Sequence, residues 1–346
     1  VSVVPARRTA IFGALLAIVL LAADLGAASI GDVIGRPGAA TRDGSVAAAV
    51  PAQVGQCIAG WQEQPIPDVA FISTPFDVIT RNGQPAWIVG GANVGVMTLR
   101  WNGAGWLRAA GATRGHRGLV GGVAVGDRKV LGVGYYRPFG ADDDSALVPM
   151  AGRVSGAAWK DLDVPRPPGP RATLTDVASL GGNDAWAVGT RLDGGRLRAW
   201  AARLDGSRWT RDEPSTRGGS GLLAVDRALS GDVWAVGWQE RGPGQPRPYI
   251  TRLQGGRWRS VSAPDLPDGV AVLTDVEMRG AREGWAVGYL VPKRGDRHIA
   301  FLLRWDGRRW TRRPLPWANE VAAVPRSVSA GEDGRVWIAG TQTANE

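Results

Sequence analysis

Three aspartates recur at the start of similar strand-like runs: Asp77, Asp176 and Asp275. Carboxylates brought together near one opening can divide general acid and general base work on a polymer such as a polysaccharide. A catalytic group is normally needed once, however. A carboxylate that accepts backbone N–H bonds from a neighbouring loop is needed in repeat after repeat, and the sequence leaves both roles open. Aromatic residues form a second set: Tyr135, Tyr136, Trp238, Tyr289 and Trp317. Such rings can stack on a sugar or an apolar peptide side chain, with Arg137 and Arg294 beside them as charged donors. Equally, they can cap the joints between structural repeats. His298 stands near Arg294 and Arg297, a single imidazole able to act as a base or to sit exposed on a loop. Asp142-Asp143-Asp144 lacks the alternating spacing of a calcium loop and reads as a solvated acidic tip. With one cysteine, Cys57, and two histidines, His116 and His298, there is no three-ligand set for catalytic zinc. Neither a metal nor a cofactor is expected.

The elements that position these residues are announced by a short phrase. W-A-V-G occurs at Trp186–Gly189, Trp234–Gly237 and Trp285–Gly288, with looser copies at Trp87–Gly90, Leu131–Gly134 and Trp337–Gly340. Successive copies are 44, 55, 48, 51 and 52 residues apart, and a fixed period near fifty marks a repeat architecture. Within one unit, Leu174 to Leu180 reads as strand A, the phrase itself as strand B and Ala199 to Leu204 as strand C. Asp205-Gly206 is a hairpin signal, and Trp209 follows on strand D. A two-residue turn there places Trp209 opposite Ala202 and Trp310 opposite Leu303. Four antiparallel strands every fifty residues make one blade of a β-propeller, whose strands are apolar on both faces because each blade has two neighbours.

The ends set the blade count. Six strand-D tryptophans (Trp61, Trp106, Trp159, Trp209, Trp258, Trp310) match six strand-B phrases. After Gly340 only six residues remain, so the last blade must be completed by N-terminal strand. The expectation is an all-β, six-bladed propeller over residues 52–346, with a truncated seven-bladed ring as the alternative. If strand A runs down from the top face, the variable B–C loops lie on top, where function tends to ride on a rigid scaffold.

Residues 1–28 read as an export signal or N-terminal anchor, with Arg7 and Arg8 before an apolar run and Gly26-Ala27-Ala28 at its end. Residues 29–51 read as a linker. The expected location is secreted or cell-surface, with membrane contact only through such an anchor, and a monomer is expected. The net charge of +9 comes almost wholly from arginine spread along the chain. It forms no basic stripe with stacked aromatics, so a compositional habit is the reading and no nucleic-acid partner is expected.

The unit W-A-V-G followed by R-L-D-G-x-x-W resembles the kelch-like propellers, including the central domain of galactose oxidase, over residues 54–346. The resemblance implies architecture. Kelch blades usually carry a Gly doublet, seen here only at Gly90-Gly91. The Asp-box of sialidases and the His, Tyr and Cys set of copper oxidases find no match. The reading is therefore an exported binding or scaffold module for a surface glycan or an extracellular protein. A hydrolase or lyase using the channel-mouth carboxylates is the alternative. Deleting residues 52–64 is expected to lower the melting temperature of the whole domain, and a harmless deletion would refute closure by that segment.

Overall fold

The computed structural model describes residues 19–23, 67 and 73–343, except 82–83, 93–94, 110–115, 125–128, 139–145, 156–157, 316–317, 319–321 and 332–333. Trp61, Cys57, Asp142-Asp143-Asp144 and Trp317 lie outside the described residues, as do the leader and linker segments apart from β1 (Val19–Ala23). Blade I holds β2 (Ser73–Arg81), β3 (Gln84–Ala92), β4 (Gly95–Trp101) and β5 (Trp106–Arg108). Blade II holds β6 (His116–Ala124), β7 (Lys129–Arg137), β8 (Val148–Ser155) and β9 (Ala158–Leu162). Blade III is β10 (Ala172–Gly181), β11 (Asp184–Asp193), β12 (Arg196–Asp205) and β13 (Arg208–Asp212). Blade IV is β14 (Ser220–Arg227), β15 (Val233–Glu240), β16 (Pro246–Gln254) and β17 (Arg257–Val261). Blade V is β18 (Gly269–Gly280), β19 (Glu283–Pro292), β20 (Ile299–Trp305) and β21 (Trp310–Arg313), and blade VI has β22 (Ala322–Ala330) and β23 (Val336–Thr343).

The protein is a six-bladed β-propeller. Each of the first five blades runs A-B-C-D antiparallel, and a single bridge, Gly91 to Gly118, links the sheets of blades I and II. The sixth takes its third strand from the N-terminus: β1 pairs antiparallel with β23, from Val19 opposite Gly340 to Ala23 opposite Val336. A strand from the N-terminal side thus adds a third strand to the last blade, while the fourth, expected at Trp61, lies outside the described residues. β1 lies inside the stretch whose composition reads as an export signal.

The repeated phrase sorts its side chains by face. Trp186 and Val188 pack forward into a cluster with Leu222, Val225 and Tyr249 of blade IV, while Ala187 faces back into a cluster with Leu131 and Val133 of blade II. Trp234 and Ala286 meet in the same way between blades IV and V. A large residue on one face and a small one on the other lets successive blades interdigitate at close-packed density. The strand-D tryptophan completes the joint. Trp258 of blade IV stands edge-on to Trp186 of blade III, with ring centroids 5.2 Å apart. Trp310 does the same to Trp234 at 5.8 Å.

Two local features differ from the sequence expectation. Trp209 lies opposite Leu204 and Trp310 opposite Trp305, because Asp205 stays in the ladder facing Arg208 and the turn is Gly206-Ser207. Glycine takes the first loop position at φ +60°, and in blade IV Gly255 and Gly256 both have positive φ, the signature of a type I′ turn. Strands B also run on past their glycines. The B–C loop of blade III shrinks to Gly194-Gly195, and Tyr135, Tyr136, Arg137, Trp238 and Tyr289 sit on strands and not in loops.

Each strand A carries a β-bulge one step after the residue that faces the phrase's glycine. The register shifts fall between Pro75 and Asp77, Leu119 and Gly121, Leu174 and Asp176, Leu222 and Ala224, Leu273 and Asp275, and Pro325 and Ser327. A Cβ on Gly189 would run into the carbonyl oxygen of Thr173, one on Gly237 into that of Gly221, and one on Gly288 into that of Val272. That carbonyl also accepts the Trp200 indole N–H at 2.9 Å in blade III. Among the described residues at this position, Val78 is the exposed one. It is 54% exposed, whereas its counterparts Val177, Val225, Val276 and Val328 are each 4% exposed.

Gly189→Ala is expected to lower stability by about 1–3 kcal/mol through overpacking. Gly194→Ala meets open space at φ +54° and should cost only about 1 kcal/mol of left-handed strain. Thermal unfolding of the two variants compares them, and equal losses would refute the close-approach account.

Candidate functional site

The bulges decide what enters the central channel. At the position just after the bulge the six blades carry Asp77, Gly121, Asp176, Ala224, Asp275 and Ser327, an alternation of carboxylate and small residue. The aspartates are 99 residues apart at both steps, two blades each time. Small residues between them are a packing requirement. A Cβ on Gly121 would lie 2.8 Å from the Asp176 Cα and 3.0 Å from its Oδ1.

Each aspartate reaches across to the next blade. Asp77 Oδ2 accepts the Gly122 N–H at 3.0 Å, Asp176 Oδ2 that of Val225 at 2.8 Å, and Asp275 Oδ2 that of Val328 at 2.7 Å. The other oxygen of Asp176 accepts from Val177 at 2.7 Å, and that of Asp275 from Val276 at 2.8 Å. The carboxylates therefore tie blade I to II, III to IV and V to VI. They stand midway along strand A, facing the channel, and the Thr175 hydroxyl adds a bond to the Leu222 carbonyl of blade IV at 3.1 Å.

A second acidic layer lies two residues further along strand A. Asp226 Oδ2 accepts the Met278 N–H at 2.6 Å, and Glu277 Oε2 accepts that of Ala330 at 2.9 Å. Asp176, Asp226, Asp275 and Glu277 line one cavity of about 470 Å³, with Arg227, Leu229 and Arg279 also in its wall. Because Leu229 belongs to the A–B turn, the cavity opens on the face opposite the B–C loops.

Burial dominates the electrostatics here. It raises the pKa of Asp77 against the opposing Gly122 and Val78 N–H groups. Asp176 is pushed well above the ordinary carboxylate range, first by desolvation and then by the charge of Asp275. Desolvation lifts Asp275 to about 7, although the N–H groups of Val328 and Val276 and the Ser327 hydroxyl favour its charged form. Asp226 and Glu277 are raised by the same desolvation.

On the top face, blades III and IV are sealed by their own polar groups. Arg191 forms a fork onto Glu213 with both contacts at 3.1 Å, and Arg198 Nη1 donates to the Gly218 carbonyl at 2.7 Å. Gln239 Nε2 donates to the Arg217 carbonyl at 2.8 Å. Between blades IV and V a groove of about 460 Å³ remains. Its walls include Gln245 from one B–C loop, Lys293 from the next, and Val270, Val291 and Pro292 at the strand ends. Arg247 braces it from below. Its guanidinium donates to the carbonyls of Pro267 at 2.8 Å and Leu266 at 3.2 Å and pairs with Asp268 at 3.6 Å. That fixes the D–A loop which forms the groove's rim.

The aromatics and arginines named from the sequence do not converge. Tyr135, Tyr136 and Arg137 belong to blade II, Trp238 to blade IV, and Tyr289, Arg294 and His298 to blade V. Tyr136 packs against the core cluster of Trp87, Val130 and Met150, so it serves a joint. Trp238 is half-buried over Gly221, whose added Cβ would lie 2.7 Å from the indole nitrogen. Tyr289 and His298 do meet, with centroids 5.1 Å apart, and Arg294 is exposed next to Lys293. Gln245 and Lys293 carry no sequence signal beyond their place in loops. Asp226 and Glu277 carry one that is readable afterwards, since Asp275-Val276-Glu277 puts two acids on the same side of a strand. Among the described residues no group of three or more His, Cys, Asp or Glu is arranged to hold a metal.

No family model matches the chain, and no curated protein matches it. Among solved structures it is similar to YCF48 bound to a D1 peptide, at 14% identity and a TM-score of 0.42, covering 78% of this chain and 90% of that one. It is also similar to a mutant Aleuria aurantia lectin in complex with Fucα1-6GlcNAc, at 12% identity and a TM-score of 0.41, covering 74% and 90%. An ulvan lyase of a polysaccharide lyase family matches at 9% identity and a TM-score of 0.40, covering 68% and 62%.

Replacing Arg247 by Met keeps the stem and removes the donors. Amide exchange at Gly269 to Ala271 is expected to accelerate about fivefold or more, a local loss near 1 kcal/mol, while blades I to III stay protected. Unchanged exchange would show that the brace is not what holds the rim.

Proposed function

We propose that this chain is an exported, kelch-like propeller that keeps its N-terminal stretch and works as a binding module, gripping a surface glycan or an extracellular protein in the top-face groove between blades IV and V. The observation that supports this most is the contrast between two joints. Arg198 and Arg247 brace the D–A loop of each joint alike; among the described residues the III–IV joint adds the Gln239 bond to the Arg217 carbonyl, and a groove of about 460 Å³ lies between the two B–C loops of blades IV and V. The Gln245 amide and the Lys293 ammonium offer donors, and Val270, Val291 and Pro292 offer an apolar wall suited to a sugar or peptide face. Arg294 extends the basic rim. Among the described residues that line the groove none is aromatic, so recognition rests on polar placement more than on the rings read from the sequence.

The second reading, a hydrolase or lyase, draws support from Asp275, which is held at about 7 in a cavity shared by four carboxylates. Against it stand the backbone N–H groups that occupy both oxygens of Asp176 and of Asp275.

A glycan and protein array probed with the full chain tests the first reading. Gln245→Ala combined with Lys293→Ala is expected to weaken the best ligand at least tenfold, at about 0.7 kcal/mol or more for each lost hydrogen bond. Polymer turnover that disappears in a folded Asp275→Asn variant would overturn the binding module in favour of the enzyme.

A further inference from the structure

The carboxylates of the central channel do a job that neither ligand binding nor catalysis requires. We propose that the channel is a proton-holding hub: its clustered carboxyl groups keep protons that the unfolded chain gives up, so the joints between blades are strongest in mild acid and weaken toward neutrality. Asp176, Asp226, Asp275 and Glu277 face one cavity from three consecutive strands A, and Asp77 acts on the same channel from blade I. Every one of these five side chains accepts an N–H from the strand A of the following blade. The charged groups around them are few. Arg227 and Arg279 stand in the cavity wall, Ser327 bonds Asp275, and Ser329 bonds Glu277. Arg279 is itself drawn away to the Gly331 carbonyl. Burial strips water from all five and is the main cause that favours their protonated forms; the charges of Asp275 and Asp77 add to it at Asp176, that of Asp77 at Asp275 and that of Asp226 at Glu277.

The sign follows from linkage. A carboxyl that holds its proton more tightly when folded stabilises the fold fully below the unfolded value near 4, and loses that contribution as the pH rises through the folded value. For Asp275 the folded value is about 7. Stability should therefore fall between roughly pH 4 and pH 7, by up to about tenfold in the folding constant per pH unit for each proton held.

The test is urea unfolding of the full chain at pH 5, 6, 7 and 8, with Asp275→Asn in parallel. The expected result is a midpoint that drops steadily from pH 5 to 7 in the native protein and drops less in the variant. A native midpoint that is flat or rises over this range overturns the proposal, and so does a variant whose profile runs parallel to the native one. If Asp275→Asn does not fold, Ser327→Ala decides. Removing a hydroxyl that favours the charged form should extend the fall to higher pH, and an unmoved profile refutes the hub.

Discussion

The ring depends on one close approach. In each of blades III to VI a carbonyl of strand A lies so near the glycine of the W-x-V-G phrase that no Cβ fits between them. This contact sits at a β-bulge, and the bulge does two things at once. It lets strand A bend beside the channel, and it turns the next residue toward the axis. Without the glycine the two strands could not approach. Without the bulge Asp176 would not reach the Val225 N–H of the next blade. The scaffold motif and the channel chemistry are thus one feature seen from two sides.

That link explains the alternation around the channel. A carboxylate on each blade would crowd six charges into a narrow space. Placing Gly121, Ala224 and Ser327 between the aspartates gives each one room and gives each a backbone donor from the blade ahead. The cost is desolvation, which raises all three. It is offset by N–H bonds that also fasten blade to blade, so an electrostatically unfavourable group earns its place as a joint. The top face works by different means. There the loops vary, arginines brace carbonyls at both joints, and a groove lies between blades IV and V.

Much of the fold is legible in the residues. The phrase, its period and the second tryptophan yield six blades, and both tryptophans prove to be parts of the same joint, Trp186 with Trp258 and Trp234 with Trp310. The bulge is not legible, because its extra residue is of no fixed type: Phe76, Val120, Thr175, Leu223, Thr274 and Arg326. The turn lies one residue further on, and the pairing two, for a related reason. Asp-Gly fits the turn either as its two central residues or with Asp as the last strand residue, and only the ladder decides. Of the site, Asp77, Asp176 and Asp275 are visible, but their partners are backbone N–H groups that carry no letter. Gln245 and Lys293 are brought together only by blade order, which no local pattern encodes.

The arginine excess also acquires a partly structural meaning. Arg100, Arg203, Arg252 and Arg304 each stand directly across from a phrase tryptophan on the neighbouring strand, and Arg153 stands across from Leu131, which replaces one. The Arg252 guanidinium lies 5.1 Å from the Trp234 ring centre and pairs with Asp232 at 2.8 Å; that of Arg304 lies 5.3 Å from Trp285. A planar, weakly hydrated cation can lie on an indole face in a half-buried joint, whereas an ammonium is held more firmly by water. A residue that recurs at the same register in blades I to V, with Ala22 in its place across from Trp337 in blade VI, is more than a compositional habit. It places one joint arginine in each of the first five blades.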